Sequence, residues 1–69
     1  DNFEKQDDIF SNLTSSEINI AKYLKIGYKN IEISEELNIS INTVKKHIKN
    51  IYTKLNVSDR VSFLKLVMG

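Results

Sequence analysis

The stretch "LNISINTVKKHIKNIYTKLNVS", Leu37 to Ser58, contains no Asp or Glu, although acids are common on both sides of it. It begins and ends with the same device. In "LNIS" (37–40) Asn38 tolerates the left-handed conformation and stops one helix, and Ser40 caps the next two residues later. In "LNVS" (55–58) Asn56 and Ser58 are expected to do the same. Between them lies a helix from Ile41 to Leu55. On a wheel of about 100° per residue, Val44, Ile48, Ile51 and Leu55 fall on one narrow stripe, which is the core face. Asn42, Lys46, Lys49 and Thr53 lie nearly opposite, with Lys45 and Asn50 beside them, and His47 and Lys54 share a flank. A merely solvated helix usually mixes signs for support between residues i and i+4. This one presents a basic and amide face with no acid, which calls for an anionic partner.

Working outward, "TSSE" (14–17) is a capping box that opens an earlier helix, with Ile18, Ala21 and Leu24 as its apolar stripe and Gly27 as its stop. Asn30 is the expected N-cap of a short second helix, Ile31 to Leu37, with Ile33 and Leu37 inward. The fourth helix runs from Asp59 to Met68. Val61, Leu64 and Met68 form its expected core stripe, Phe63 and Val67 widen the apolar arc, and Leu66 falls outside it. That is more apolar surface than one face needs, so self-association is expected there, with Phe63, Leu66 and Val67 at the contact. Residues 1–12 are acidic without a sustained period and read as a linker or arm, in which Phe3, Ile9 and Phe10 could pack locally. Residues 13–69 are the domain.

The 69 residues make one small all-α domain of four helices. A domain of this size buries only about 60% of its unfolded surface, so its stability is marginal. With two glycines and no proline, the composition favours helices. No cysteine is present, and a single histidine cannot build a zinc site, so neither a metal nor a cofactor is expected. No apolar run is long enough to span a membrane, and a cytoplasmic protein is expected. The net charge of +1 hides an asymmetry. Residues 1–17 set five acids against one lysine (−4), residues 18–36 balance, and residues 37–69 set six basic residues against one acid (+5). Glu35 and Glu36 are adjacent on a helix and do not face each other, and no nucleophile or base accompanies them, so no enzyme is expected.

A short helix, a tight turn and a longer helix with an outward basic face describe a helix-turn-helix, whose second helix enters the major groove of double-stranded DNA. Lysine can donate to guanine O6/N7 and asparagine can pair with adenine, which makes Asn42, Lys45, Lys46 and Lys49 the candidate base-contacting residues. The segments "LTSSE", "GYKNIEIS" and "LNISINTVKKHIKNIYTKLNVSDR" resemble the C-terminal DNA-binding domain of LuxR-type transcription regulators, also found in many two-component response regulators. The resemblance covers about residues 13–68. It implies a four-helix fold with the motif in the second and third helices and dimerisation on DNA through the fourth. It also implies groove-facing roles for Lys45, Lys46 and Lys49, and backbone phosphate contacts for Asn30, Ser40, Thr43 and Lys54. A sensor or receiver domain would precede residue 1, and RNA polymerase is a possible further partner.

The chain departs from the family at Ser16, where an arginine is usual, and at Ile31, where a lysine is common. Asn38 and Asn56 stand for the family's frequent glycines, and Phe63 for a small residue. Glu17 and Arg60 match family positions and are expected to pair as ions. His47 matches a preferred position, where a structural hydrogen bond suits it as well as a phosphate does. Tyr23, Tyr28 and Tyr52 are expected at core edges. Two other readings of the residues are a promoter-binding domain like region 4 of a sigma factor, acting through RNA polymerase, and a protein-interaction module whose basic helix meets an acidic protein face.

Overall fold

In the computed structural model, which describes residues 10–68, four helices follow one another: α1 (Ser15–Lys25), α2 (Asn30–Leu37), α3 (Ile41–Leu55) and α4 (Arg60–Met68). No strand occurs among the described residues. The expected local packing of Phe3 and Ile9 lies outside the described residues. Phe10 does pack against the core, and the N–H of Leu13 donates to its carbonyl at 3.0 Å, closing a turn before α1.

The stops and starts follow local chemistry. Thr14 caps α1 through the full box: its Oγ1 accepts from the Glu17 N–H at 3.2 Å, and the Glu17 carboxylate accepts from the Thr14 N–H at 2.9 Å. Gly27 lies at φ 99°, a conformation that side-chain-bearing residues adopt only under strain, and the chain turns there into α2. Asn38 and Asn56 both take the left-handed conformation, at φ 56° and 58°, as the sequence predicts for each. Ser40 caps α3 by accepting from the Thr43 N–H at 3.1 Å.

Two caps differ from expectation. The cap of α2 is Lys29, whose N–H donates to the Glu32 carboxylate at 2.7 Å, and Asn30 is the first helical residue. At α4 the cap is Asp59, whose carboxylate accepts from the Ser62 N–H at 2.8 Å, and not Ser58. An aspartate one residue further on offers a charged acceptor to the helix N-terminus and outcompetes the hydroxyl. The Ser62 N–H also holds the Asp59 carboxyl below its ordinary pKa.

The core is formed by Leu13, Ile20, Ala21 and Leu24 from the first segment, Ile33 from α2, Val44, Ile48 and Ile51 from α3, and Phe63 and Val67 from α4. Leu13 and Ile20 are additions to the expected set, while Ile18 is only half-buried. Helix α3 packs on both α1 and α2, and α4 packs on α1. The stripe predicted for α3 is the one found.

The stripe predicted for α4 is not. Phe63 is fully buried and Val67 nearly so, whereas Val61 and Met68 are 62% and 66% exposed. Leu64 is half-buried against the core and Leu66 is exposed. The physical reason is size: Phe63 is the largest fully buried side chain and fills the space beside Tyr52, their rings 5.8 Å apart. Turning the helix to bury Val61 instead would leave that volume empty. Phe63 and Val67 therefore belong to the core and cannot form the contact surface that the sequence reading gave them.

Candidate nucleic-acid interface

Burial of Val44, Ile48 and Ile51 fixes the rotation of α3 and so decides which side chains face outward. Asn42, Lys45, Lys46 and Lys49 are all exposed, as expected. Among the described residues, neither an ion pair nor a hydrogen bond engages the three lysine side chains. Among the described residues their charges are therefore uncompensated. Asn50 and Thr53 are exposed on the same helix, and Thr53 lies on the wheel between Asn42 and Lys46. The Thr53 hydroxyl donates to the Lys49 carbonyl at 2.9 Å, which occupies its hydrogen. These two residues sit on the candidate face although they were not among the contact residues predicted; the wheel alone already grouped them with the lysines.

At the N-terminal end of the same helix, Ser40 is exposed and Thr43 half-buried, their hydroxyl oxygens 2.8 Å apart. The pair caps the helix and leaves hydroxyl groups at its positive end, where anions are favoured. Asn30, half-buried, opens α2. The elements on either side are thus arranged as the motif requires: α2 ends at Asn38, the turn spans Asn38 to Ser40, and α3 runs out with its basic face exposed.

Lys54 behaves differently from the other lysines of α3. Its Nζ donates to Glu17 Oε1 at 2.7 Å, and Glu17 is only 3% exposed. The ammonium expected to face a phosphate is therefore committed to a buried carboxylate on α1. This also corrects the expected pairing of Glu17 with Arg60. The Arg60 guanidinium donates instead to the carbonyls of Leu24, at 3.0 Å, and Tyr28, at 2.7 Å, at the C-terminal end of α1, where a cation meets the negative end of the helix dipole. One terminal nitrogen of Arg60 serves both carbonyls, and Lys54 is a point charge suited to one carboxylate. The hydrogen bond from Lys54, followed by the one from the Thr14 backbone, holds the Glu17 carboxyl below the ordinary glutamate range and overcomes the opposing effect of burial.

His47 is half-buried and lines a shallow hollow with Ser16, Asn19, Ile20, Leu37 and Ile39. The structural hydrogen bond expected of it is not found among the described residues. No group of acidic, histidine or cysteine side chains among the described residues is arranged to hold a metal. Tyr23, Tyr28 and Tyr52 are half-buried at core edges, as predicted, with the rings of Tyr23 and Tyr28 4.9 Å apart and tilted by 38°. No helix of the described residues is long and apolar enough to cross a membrane.

The pattern that defines bacterial regulatory proteins of the luxR family matches residues 11–67. Among curated proteins, the chain is 45% identical over 60 residues to the nitrate/nitrite response regulator protein NarP of Escherichia coli (strain K12), covering 87% of this chain and 28% of that protein. It is 40% identical over 57 residues to the response regulator protein VraR of Staphylococcus aureus (strain NCTC 8325 / PS 47), covering 83% of this chain and 27% of that protein. The chain thus spans less than a third of the length of the curated relatives it matches.

Proposed function

Because the chain belongs to the luxR family of bacterial regulatory proteins, a family of DNA-binding transcription regulators and not of enzymes, we propose that it reads a specific DNA sequence with α3 in the major groove. The observation that carries this reading is the acid-free outer face of α3, where Lys45, Lys46 and Lys49 stand exposed and unpaired among the described residues. Asn42, Lys45, Lys46 and Lys49 read base edges, and Asn30, Ser40 and Thr43 hold the phosphate backbone in register. The chain is the output module of a longer response regulator, preceded by a receiver domain, acting in the cytoplasm beside RNA polymerase.

Replacing Lys49 by Ala tests the assignment. Loss of one base contact should cost about 1–3 kcal/mol on the true operator and much less on random duplex. Equal losses on both would reduce the face to an electrostatic anchor and defeat the base-reading role.

The module acts as a dimer. Val61, Leu64 and Met68 support this: they share one side of α4, and two of the three are more than half exposed. A two-fold contact there places half-sites about one DNA turn, or a multiple of it, apart. Val61→Glu should abolish cooperativity on a paired site and spare binding to one half-site. Unchanged cooperativity would remove α4 from the interface.

A further inference from the structure

The ion pair between Lys54 and Glu17 has a consequence for DNA binding. Lys54 lies one further turn along α3 from Asn50, at the edge of the outward face, and its side chain is 36% exposed. A free ammonium there would lie within reach of a phosphate beside the groove. Its Nζ is instead 2.7 Å from a carboxylate that is almost wholly buried. The same Oε1 also receives the Thr14 N–H at 2.9 Å, so the carboxylate is fixed in place by the start of α1.

We infer that Glu17 is a positioning residue for specificity: it holds Lys54 away from the DNA backbone and so limits sequence-independent affinity. Two effects compete for Lys54. Leaving Glu17 would strand a buried charge without compensation. A phosphate contact at the groove edge is formed in solvent and screened by salt. The buried pair therefore wins, and Lys54 stays on Glu17 when DNA is bound. Among the described residues, Lys45, Lys46 and Lys49 are held by nothing comparable. One end of the helix thus offers its cations to DNA, and the other end has its cation neutralised. Because backbone contacts raise affinity for every sequence alike, withholding one of them favours the discrimination that base contacts supply.

This inference rests on the reading of α3 as a DNA-binding helix, and its test separates the two. The 69-residue chain, Glu17→Gln, Lys54→Met and the double variant are titrated with a short random-sequence duplex at salt concentrations from about 50 to 200 mM. Glutamine keeps the acceptor for the Thr14 N–H, and thermal melting of each variant sets a temperature at which all four are folded. Each phosphate contact contributes about −0.9 to the slope of log K against log salt. Glu17→Gln frees Lys54, so its slope should steepen by about 0.9, and its affinity should gain about threefold to fourfold more than the parent's on going from the high salt to the low. Lys54→Met and the double variant should keep the parent's slope. A shallower slope for Lys54→Met, or an unchanged slope for Glu17→Gln, would overturn the inference and return Lys54 to the phosphate contacts. Absence of salt-dependent binding by the parent would defeat the DNA-binding reading itself.

Discussion

Helices α3 and α4 are preceded by like sequence and end up differently. Each follows a Leu-Asn-x-Ser segment whose asparagine turns left-handed, and each supplies buried residues to one core. In α3 the apolar residues occupy one stripe and the polar residues take the rest, so periodicity leaves a single possible rotation. In α4 Val61, Phe63, Leu64, Leu66, Val67 and Met68 are spread around the helix, and several rotations bury similar apolar area. The rotation found is set by where Phe63 fits. A hydrophobic pattern therefore locates a helix face only when polar residues exclude the alternatives.

The largest expected effect tests the α4 half of that comparison. Phe63→Ala should remove about 3–5 kcal/mol of stability, enough to leave a domain of this size largely unfolded. Val61→Ala, one of the residues first expected inside, should change the melting temperature little. A small loss from Phe63→Ala in thermal melts would show that α4 can turn to bury another residue, and the difference between the two helices would then be one of sequence only.

The anchors of the two helices to α1 give a smaller effect. Lys54 ties α3 to a carboxylate, and Arg60 ties α4 to two backbone carbonyls. Lys54→Met leaves Glu17 without its cation and should cost about 1–3 kcal/mol. The carboxylate anchor also titrates. The folded-state pKa of Glu17 is depressed, so its stabilisation is fully present above the ordinary glutamate value and is lost as pH falls through the lowered one. Asp59 is depressed as well and acts in the same direction at the start of α4. Denaturant melts from neutral to acid pH should therefore show stability falling below the ordinary carboxylate range. Glu17→Gln should fall less steeply, retaining the part due to Asp59, and a pH dependence unaltered by that substitution would assign all of it to other carboxylates.

The caps provide the finest contrast. Ser40→Ala should cost about 1 kcal/mol, because the Thr43 N–H loses its acceptor. Ser58→Ala should fall within about 0.5 kcal/mol, because Asp59 already holds the N-terminus of α4. Equal losses would mean that the two Leu-Asn-x-Ser segments work identically, as their sequences had implied.

What depends on near neighbours along the chain was legible before folding. The Thr14–Glu17 box, the left-handed Gly27, Asn38 and Asn56, the Ser40 cap and the inward stripe of α3 all involve residues within about one turn of each other or at helical spacing. The exposed lysines followed from that stripe, and so most of the candidate site could be read before the fold. What depends on distant segments emerged only in the packed fold. It gave Lys54 to Glu17, 37 positions away, and Arg60 to Leu24 and Tyr28, where sequence pairing had joined Glu17 to Arg60. It also turned Phe63 and Val67 inward. The reason is physical: local hydrogen bonds are fixed by backbone geometry within a turn, whereas the partner of a buried charge and the rotation of an all-round apolar helix are set by the shape and charge of the surface packed against them.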